Sequence, residues 1–280
     1  MAPSGDLIGR GGQPDEPVTV PDAVAELAAG RSLEPVWVNS AGGKTFRMGP
    51  APDRADGYVK WVPPHYAPWV AAEVARLQWA GRWLTVPEVV EHGADESGAW
   101  MVTRPVVGWS AVDPRWHDEP RTAVIAVGEG LRAMHETLPV ASCPFVWSTG
   151  ERLDRARAAG HAVDAMGPRP ETDQLVVCHG DACTPNTLIG DDGRWVGHVD
   201  LGALGVADRW ADLAVASMSL GWNHGPGWDD LFHEAYGLPQ DRDRTAWYRL
   251  MWELDVDDVD DPRGAGGASR HGSDAGAERP

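Results

Sequence analysis

One stretch begins and ends like a buried strand, yet it carries polar residues whose types could do chemistry. The stretch is VVCHGDACTPNTLIGDDGRWVGHVDLG, residues 176–202, and it contains His179, Asp181, Asn186 and Asp200. Moving a carboxylate out of water is costly unless the group is paired or binds a metal. Because the two aspartates need such partners, they are candidates for chemistry.

The apolar runs TLI and WVGHV flank a turn signal around Asp192–Gly193. This pattern predicts an antiparallel hairpin. Pairing about the turn places Asn186 opposite Val199, which is next to Asp200. The loop that contains Asp181 comes directly before the hairpin, so we expect all three polar side chains at its open end.

An amide oxygen and a carboxylate oxygen are hard ligands that suit Mg²⁺ bound together with nucleotide phosphates. Asp181, five residues before Asn186, is suited to accept a proton from an attacking hydroxyl group. The alternative interpretation is a polar turn in which Asp181 and Asp200 only cap neighbouring elements. The sequence favours the first interpretation, because these residue types at matched spacing around one hairpin are hard to obtain by chance.

The formal net charge of the 280-residue chain is −18. This charge would repel phosphate backbones, so we expect no nucleic-acid partner. It indicates either an acidic surface that favours solubility or a cleft whose negative potential attracts a polycationic small molecule.

The cysteine count and the N-terminal residues bear on the compartment. Cys143, Cys178 and Cys183 form an odd set without the spacing of a disulfide framework, which indicates reduced thiols. The N-terminal residues contain no apolar run of the kind found in a signal peptide, and no window approaches 18 consecutive apolar residues. We therefore expect a cytoplasmic protein with no membrane partner.

Strand patterns predominate in the first part of the chain and helix patterns in the second. The alternation of EPVWVN and GYVKWV predicts strands at 34–39 and 57–62. Val70, Val74 and Leu77 follow helical spacing within 67–82. Further helices are expected at 121–138 and 244–255, with a possible short one in PDAVAELAAG. The pattern predicts an α+β fold in which a small antiparallel sheet precedes a mainly helical part.

The segments VVCHGDACTPNTLI, HVDLGALGVADRWADLA and AYGLPQDRDRTAWYRLMWELD resemble, in order and spacing, those of the aminoglycoside O-phosphotransferases of 3'- and 3''-type. The resemblance extends from about residue 34 to 255. It implies a two-lobed protein-kinase-like fold, with one helix in the small sheet lobe and a larger, mainly helical C-terminal lobe. The lobes would span 33–106 and 107–255, between a flexible segment at 1–32 and a disordered acidic tail at 256–280.

The resemblance also implies roles for individual residues. Asp181 would be the catalytic base, and Asn186 and Asp200 would hold Mg²⁺. A kinase-like fold also needs a lysine on its third strand, paired with a glutamate on the next helix, to position the phosphates of ATP. Lys60 and Glu73 fit these positions; the alternative is an ordinary solvated pair.

The remaining nucleotide contacts implied by the resemblance are made by the sheet and by the connection between the lobes. Tyr58, two residues before Lys60 and thus on the same strand face, would stack on adenine unless it is a core residue. Ser40, in the turn NSAGGKTF, would bind phosphate oxygens. Main-chain groups from Arg104 to Val106 would read the adenine edge.

Substrate recognition is where the sequence departs from the family pattern. Asp208, Glu234 and Glu253 are candidates for pairing with the ammonium groups of an aminoglycoside. Ala203 stands where the family usually has an arginine near the catalytic aspartate, and the segment 146–175 is short. The implied function is transfer of the γ-phosphate of ATP to an aminoglycoside hydroxyl, conferring antibiotic resistance. The alternatives are a kinase of the same fold for another hydroxyl substrate and a weakly catalytic nucleotide-binding protein.

Overall fold

The structure, a computed structural model, describes residues 12–39, 41–50 and 55–258, with backbone only for residues 255–258. Within these ranges the chain forms an antiparallel sheet followed by a mainly helical part. The strands are β1 (Leu33–Val38), β2 (Lys44–Met48), β3 (Gly57–Val62), β4 (Val89–Ala94), β5 (Ala99–Thr103), β6 (Trp109–Ser110), β7 (Leu175–Cys178), β8 (Thr187–Ile189), β9 (Trp195–His198) and β10 (Gly205–Asp208). The helices are α1 (Asp22–Ala28), α2 (Ala67–Ala80), α3 (Pro120–Thr137), α4 (Thr149–Ala158), α5 (Trp210–His224), α6 (Asp229–Tyr236) and α7 (Arg242–Asp258).

Strands β1 to β5 form one antiparallel sheet in the order β1-β2-β3-β5-β4. Successive side chains of a strand point to opposite faces. On β3, Val59 therefore lies on one face, where it packs in a cluster with Val24 of α1. Tyr58 and Lys60 lie on the opposite face. This alternation places the residues that pack against α1 on one face of the sheet and Tyr58 and Lys60 on the other face, which borders the candidate active-site cleft.

The N-terminal segment corrects one prediction. The sequence indicated a flexible segment over residues 1–32, yet α1 forms and its Val24 is fully buried. It packs against Phe46, Met48 and Val59, because the sheet face opposite the cleft is apolar and needs cover. The possible short helix in this segment is thus confirmed, and residues 1–11 lie outside the described residues.

Helix α2 covers the cleft-side face of the sheet, where Val70, Val74 and Leu77 are buried as their spacing predicted. Pro68 lies in its first turn, a position that needs no backbone N–H donor. The helix also carries Glu73, of which only 4% is exposed. Burial of a charged residue within an otherwise apolar stripe indicates a specific partner.

The C-terminal part contains helices α3 to α7 and two small sheets, β6-β8-β9 and β10-β7. Its core includes Leu131, Leu213, Phe232 and Tyr248, contributed by four of these helices. The predicted α+β class is confirmed. The lobe boundary at 106/107 stays a prediction, and the expected tail lies outside the described residues from 259 onward.

Two further findings concern the class of protein. Across the described ranges, no helix combines the length and apolarity needed to cross a bilayer. No disulfide joins any of the three cysteines, all of which lie within those ranges.

Candidate active site

At its open end the hairpin has the register predicted from the sequence, and a bulge between Leu188 and Ile189 shifts the pairing by one residue toward the turn. Thr187 pairs with His198, and the N–H of Val199 donates to the carbonyl of Asn186 over 3.0 Å. Asn186 thus lies at the open end of the hairpin, beside the residue that precedes Asp200. The pairing depends on a tight turn in which the N–H of Gly193 donates to the carbonyl of Gly190.

The loop before the hairpin leaves β7 at Gly180, which has φ +85. A Cβ at this position would lie 2.2 Å from the carbonyl oxygen of Ala203, so only glycine fits. His179 braces the loop, because its Nε2 lies 3.0 Å from the carbonyl oxygen of Val199. Together these contacts hold Asp181 against the end of the hairpin.

Asp212, at the start of α5, anchors this loop through hydrogen bonds to its backbone. The N–H groups of His179 and Gly180 donate to its two carboxylate oxygens over 2.5 and 2.9 Å. His135 Nε2 lies 3.0 Å from the same carboxylate, and the other nitrogen of His135 lies 2.8 Å from the hydroxyl of Tyr236. Burial acts to raise the pKa of Asp212. The hydrogen bond and the charge of His135, together with the loop N–H groups, outweigh burial and keep this pKa below the usual range.

The sequence alone gave Asp212 no role. The signal that could have identified Asp212 is a single acidic residue within the otherwise apolar helix WADLAVASM. A buried carboxylate in such a helix must have donors aimed at it. Here two of those donors are backbone N–H groups of the candidate catalytic loop.

Asp181 is oriented by Asn186, whose amide Nδ2 donates to Asp181 Oδ2 over 3.1 Å and to the Asp181 carbonyl over 3.0 Å. Asp181 Oδ1 is buried and accepts no hydrogen bond from a nitrogen or oxygen donor in the described residues. Burial and the charge of Asp200 raise the pKa of Asp181, while Cys183, His179 and Asn186 act in the opposite direction. Asn186 thus holds the Asp181 carboxylate in place.

Asp200 has φ +60, the left-handed region that costs a non-glycine residue energy. Its Oδ1 accepts a hydrogen bond from Lys60 Nζ over 2.8 Å, and 45% of its side chain is exposed. Burial acts to raise the pKa of Asp200, but the charge of Lys60 lowers it overall. Asp200 and Asp181, both carboxylates at the same end of one hairpin, are therefore shifted in opposite directions.

Lys60 connects the sheet to the hairpin. Its Nζ lies 2.7 Å from Glu73 on α2 and 2.8 Å from Asp200. Burial acts to lower the pKa of Lys60, but the two carboxylates raise it above its usual range, so the ammonium form is favoured. Burial raises the pKa of Glu73 to about 7, although Lys60 acts against this. The sequence-predicted Lys60–Glu73 contact is present.

Of the other predicted nucleotide contacts, Tyr58 lies on the central strand β3, and Arg104 and Val106 lie in the connection between the lobes. Tyr58 pairs with Thr103 on β5, directly before Arg104. The N–H of Arg104 already donates to the carbonyl of Glu88 over 2.9 Å, which leaves its carbonyl for a ligand. The N–H of Val106 makes no backbone hydrogen bond with any residue in the described ranges. Ser40 lies outside those ranges.

A cavity of about 580 Å³ borders the connection but contains none of the residues of the Lys60–Asp200 contact. Its lining consists of Thr85, Val86, Glu88, Arg104, Pro105, Val106, Val107 and Val196. We therefore treat it as separate from the phosphate-binding end of the cleft.

The structure corrects the assignment of Asp208 as a substrate ligand. Only 2% of this residue is exposed. Its oxygens accept hydrogen bonds from the N–H groups of Asp173 and Trp210, over 2.8 and 3.1 Å, and Arg244 lies 3.7 Å away. Asp208 thus stabilises the start of α5. Glu253, on α7, and Glu234, on α6, are exposed.

Ala203 replaces the arginine of the family pattern, and the nearby Arg209 and Arg152 have other partners. Ala203 packs closely on Gly180, and Arg209 is committed to Asp173, with Nη2 2.6 Å from its carboxylate. Arg152 on α4 stacks over Trp147 at 4.1 Å. Burial and Arg155 lower the pKa of Arg152 to about 9, against the opposing charge of Asp181. Sequence reasoning missed this basic residue, because its approach to Asp181 depends on how α4 packs.

The chain is similar to known proteins along most of its length. Residues 28–248 match the model of the phosphotransferase enzyme family. The chain is 38% identical over 219 residues to an aminoglycoside 3'-phosphotransferase of Streptomyces fradiae, covering 66% of this chain and 79% of that protein. It is 34% identical over 246 residues to a streptomycin 3''-kinase of Streptomyces griseus, covering 76% of this chain and 88% of the relative.

Solved structures agree with the sequence relatives. A type VIII aminoglycoside-3'-phosphotransferase superposes with a TM-score of 0.69 at 28% identity, covering 83% of this chain and 98% of that one. The APH(3'')-Id aminoglycoside phosphotransferase of Streptomyces rimosus, in complex with ADP and streptomycin, gives 0.64 at 28% identity over 86% and 99%. The protein-kinase-like fold and the resemblance stated from the sequence are both confirmed. Since sequence and fold agree over most of the chain, it belongs to the phosphotransferase enzyme family, among the aminoglycoside phosphotransferases.

Proposed function

We propose that this chain transfers the γ-phosphate of ATP to a hydroxyl group of an aminoglycoside, with Mg²⁺ as cofactor, and thereby confers resistance. The observation that carries the proposal is the meeting of Asp181, Asn186, Asp200 and Lys60 at one end of the hairpin. Asn186 bonds Asp181 over 3.1 Å, and Lys60 bonds Asp200 over 2.8 Å. The cytoplasm, where ATP is available, is the compartment that this activity requires.

Lys60 positions the phosphates. Its ammonium group is held by Glu73 at 2.7 Å, on the cleft side of the sheet. An anionic phosphate oxygen offers the same charge complementarity as Asp200, the other partner of Lys60. ATP binding would therefore exchange the Lys60–Asp200 contact for a phosphate contact, while Glu73 keeps the lysine in place.

Asn186 and Asp200 fit a magnesium site. Because Asn186 Nδ2 is spent on Asp181, the amide orientation leaves Oδ1 available as a ligand. Asp200 bonds Lys60 through Oδ1, and 45% of its side chain is exposed and can be reached by an ion. An all-oxygen donor set with few protein ligands is what Mg²⁺ prefers beside phosphates. Mg²⁺ held there would neutralise charge that develops on the β- and γ-phosphates.

Asp181 aligns the sugar hydroxyl and accepts its proton through its carboxylate. Asn186 fixes the carboxylate, so the oxygen does not have to be oriented during the reaction. Burial and Asp200 raise the pKa of Asp181, which brings its basicity closer to the pH at which it works. With the hydroxyl so placed, transfer can proceed in line.

Two observations support an aminoglycoside as the substrate: the net charge of the chain and the activities named for its relatives. A net charge of −18 favours a polycationic ligand over a phosphate polymer. Glu253 and Glu234 are exposed and remain candidates for ammonium groups. Because both 3'- and 3''-enzymes are similar to this chain, the proposal covers either hydroxyl.

The direct test is incubation of the purified protein with ATP, Mg²⁺ and a panel of aminoglycosides that includes kanamycin and streptomycin. We expect ADP release that depends on the antibiotic, and a product heavier by one phosphoryl group in the mass spectrum. ADP release only with other hydroxyl compounds would favour a kinase with another substrate. ATP binding without transfer to any of them would favour a weakly catalytic nucleotide-binding protein.

A further inference from the structure

The turn that joins β1 to β2, residues 39–43, lies at the end of the sheet where Lys60 is located. Thr45, two residues after the turn, pairs directly with Lys60 on β3, so their side chains share the cleft face. At the tip of the turn, Ala41 packs against the apolar cluster to which α2 contributes. The turn therefore folds toward the cleft side of the sheet, near the ammonium group that would bind the phosphates.

The side chain of Asn39 closes this turn. Its Oδ1 accepts a hydrogen bond from the N–H of Gly43 over 2.7 Å, and the N–H of Asn39 donates to the carbonyl of Gly43 over 3.0 Å. The N–H of Gly42, which has φ +77, donates to the carbonyl of Asn39 over 3.0 Å. Val38 exchanges two backbone hydrogen bonds with Gly12, each of 2.9 Å, so the chain is also fixed directly before the turn.

The turn uses most of its backbone donors internally. The N–H groups of Asn39, Gly42 and Gly43 all donate within it. The N–H of Ala41 makes no hydrogen bond with any other residue that the structure describes. Successive backbone N–H groups of a tight turn are suited to bind anions. The internal hydrogen bonds thus determine where the N–H of Ala41 points, and a phosphate oxygen is the ligand that suits it.

Asn39 and Gly43 fit closely against each other. A Cβ at Gly43 would lie 2.9 Å from both Nδ2 and Oδ1 of Asn39, closer than van der Waals contact allows. A side chain at position 43 would therefore displace the Asn39 amide, and removal of that amide would leave the N–H of Gly43 without its acceptor. The same contact can be broken from either side.

We propose that Asn39 is a positioning residue for ATP, because its side chain fixes the turn in the shape that presents the N–H of Ala41 to the triphosphate held by Lys60. The inference rests on the proposed function and adds to it a residue that does not itself touch the nucleotide. A turn that is already closed does not have to be ordered when the ligand binds, so less of the binding free energy is lost. Loss of Asn39 should weaken ATP binding and leave the antibiotic site unaffected.

The turn between β4 and β5, residues 95–98, is a matched control in the same sheet. Asp95 closes it in the same way, because its Oδ1 accepts from the N–H groups of Ser97 and Gly98 over 2.7 and 3.1 Å. The N–H of Asp95 also donates to the carbonyl of Gly98 over 2.8 Å. In the strand order, the strand that carries Lys60 separates the two turns. Asp95→Ala should therefore loosen a turn of the same kind without affecting ATP.

Calorimetric titration with ATP and Mg²⁺ measures the Kd of each variant and does not require transfer to an acceptor. Asn39→Ala should raise the Kd for ATP about fivefold, the scale of one hydrogen bond, whereas Asp95→Ala should stay within about twofold of the wild type. The KM for the antibiotic should change little in either variant. An unchanged Kd in Asn39→Ala, or an equal rise in Asp95→Ala, would overturn the inference.

Two further variants test whether the Asn39–Gly43 contact is the cause. Gly43→Ala should raise the Kd for ATP at least as much as Asn39→Ala, because the new Cβ displaces the amide. The double variant should bind ATP about as well as Asn39→Ala alone, since the clash is then absent. Single effects that multiply in the double variant would show that the contact is not responsible.

The titrations also separate this inference from the proposed function. A wild type that binds ATP but phosphorylates neither kanamycin nor streptomycin would contradict the proposed function, while the difference in Kd between Asn39→Ala and Asp95→Ala would still support Asn39 as a positioning residue. A wild type that binds no ATP would overturn both.

Discussion

The candidate catalytic loop, residues 179–186, and the wall formed by residues 217–229, from the second half of α5 to the start of α6, meet at Ser219 but are built differently. In the loop, backbone N–H groups are aimed at side chains of α5, including those of His179 and Gly180 at Asp212. In the wall, Trp222 presents its ring to the surface.

This difference separates two demands on the molecule. Phosphate transfer needs groups held in one geometry before the ligand arrives. Substrate binding can rely on surface shape, which tolerates sequence change. Variants in the loop should therefore affect turnover, whereas substitution of an exposed side chain of the wall, such as Trp222, should leave turnover close to the wild-type value.

The largest effect should follow from Asp181→Asn. Loss of the proton acceptor should lower kcat by about 10³-fold or more, while ATP affinity stays nearly unchanged because Asp181 contacts the hydroxyl and not the nucleotide. Kinetics by ADP release and calorimetric ATP titration measure the two quantities. Asp192→Asn, in the exposed hairpin turn, is the control. A variant that turns over at the wild-type rate would show that Asp181 is not the base.

Asp212→Ala should come next, and it should affect stability as well as turnover. It leaves the N–H groups of His179 and Gly180 and the ring of His135 without their acceptor, so we expect a loss of about 3–5 kcal/mol in the free energy of unfolding. Chemical denaturation measures it, with the exposed Asp118→Ala as the control. An equal, small loss in both variants would contradict the anchoring role of Asp212.

The same carboxylate predicts a pH dependence. Because the folded-state pKa of Asp212 is lowered, its contribution to stability is present above the ordinary aspartate pKa and is lost as pH falls through the folded-state pKa. The stability difference between the wild type and Asp212→Ala should therefore shrink as the solution is acidified. A difference that stayed constant down to the lowest accessible pH would contradict a lowered pKa.

Lys60→Ala should raise the KM for ATP by about 10- to 100-fold, since it removes a charge-assisted contact to phosphate. The chain has one other lysine, Lys44, whose Nζ bonds the carbonyl of Thr19, and Lys44→Ala serves as the control. The KM for the antibiotic should change little in either variant. Equal effects of the two substitutions on ATP would contradict the phosphate contact of Lys60.

The smallest effect should come from the connection between the lobes. Val106→Pro removes the N–H proposed to read adenine and should raise the KM for ATP about 2- to 10-fold, the scale of one hydrogen bond. Arg104→Ala leaves the backbone intact and should have no such effect. If Arg104→Ala were the more damaging variant, recognition would depend on its side chain.

The open end of the hairpin could be predicted from the sequence, because the turn and the two apolar runs that set its register are close together in the chain. The turn near Gly193 and the paired apolar runs specify that Asn186 faces Val199, and the structure has this pairing. The Lys60–Glu73 contact could also be predicted, since a strand and the following helix pack on each other.

Long-range packing accounts for what the sequence did not reveal. Asp208 follows the apolar run LGALGVA, and strand β10 carries it into the interior, where the N–H groups of Asp173 and Trp210 bond it. Arg152 lies some thirty residues before Asp181, and its approach depends on how α4 packs. No local pattern encodes either arrangement.

A crystal structure with Mg²⁺ and a non-hydrolysable ATP analogue tests the central claim most directly. The account predicts a metal ion bound by Asn186 Oδ1 and Asp200, Lys60 on the phosphates, and the Asp181 carboxylate facing the γ-phosphate across the space for a hydroxyl. Side chains of Asp181, Asn186 and Asp200 that point in separate directions, with no ion between them, would contradict it.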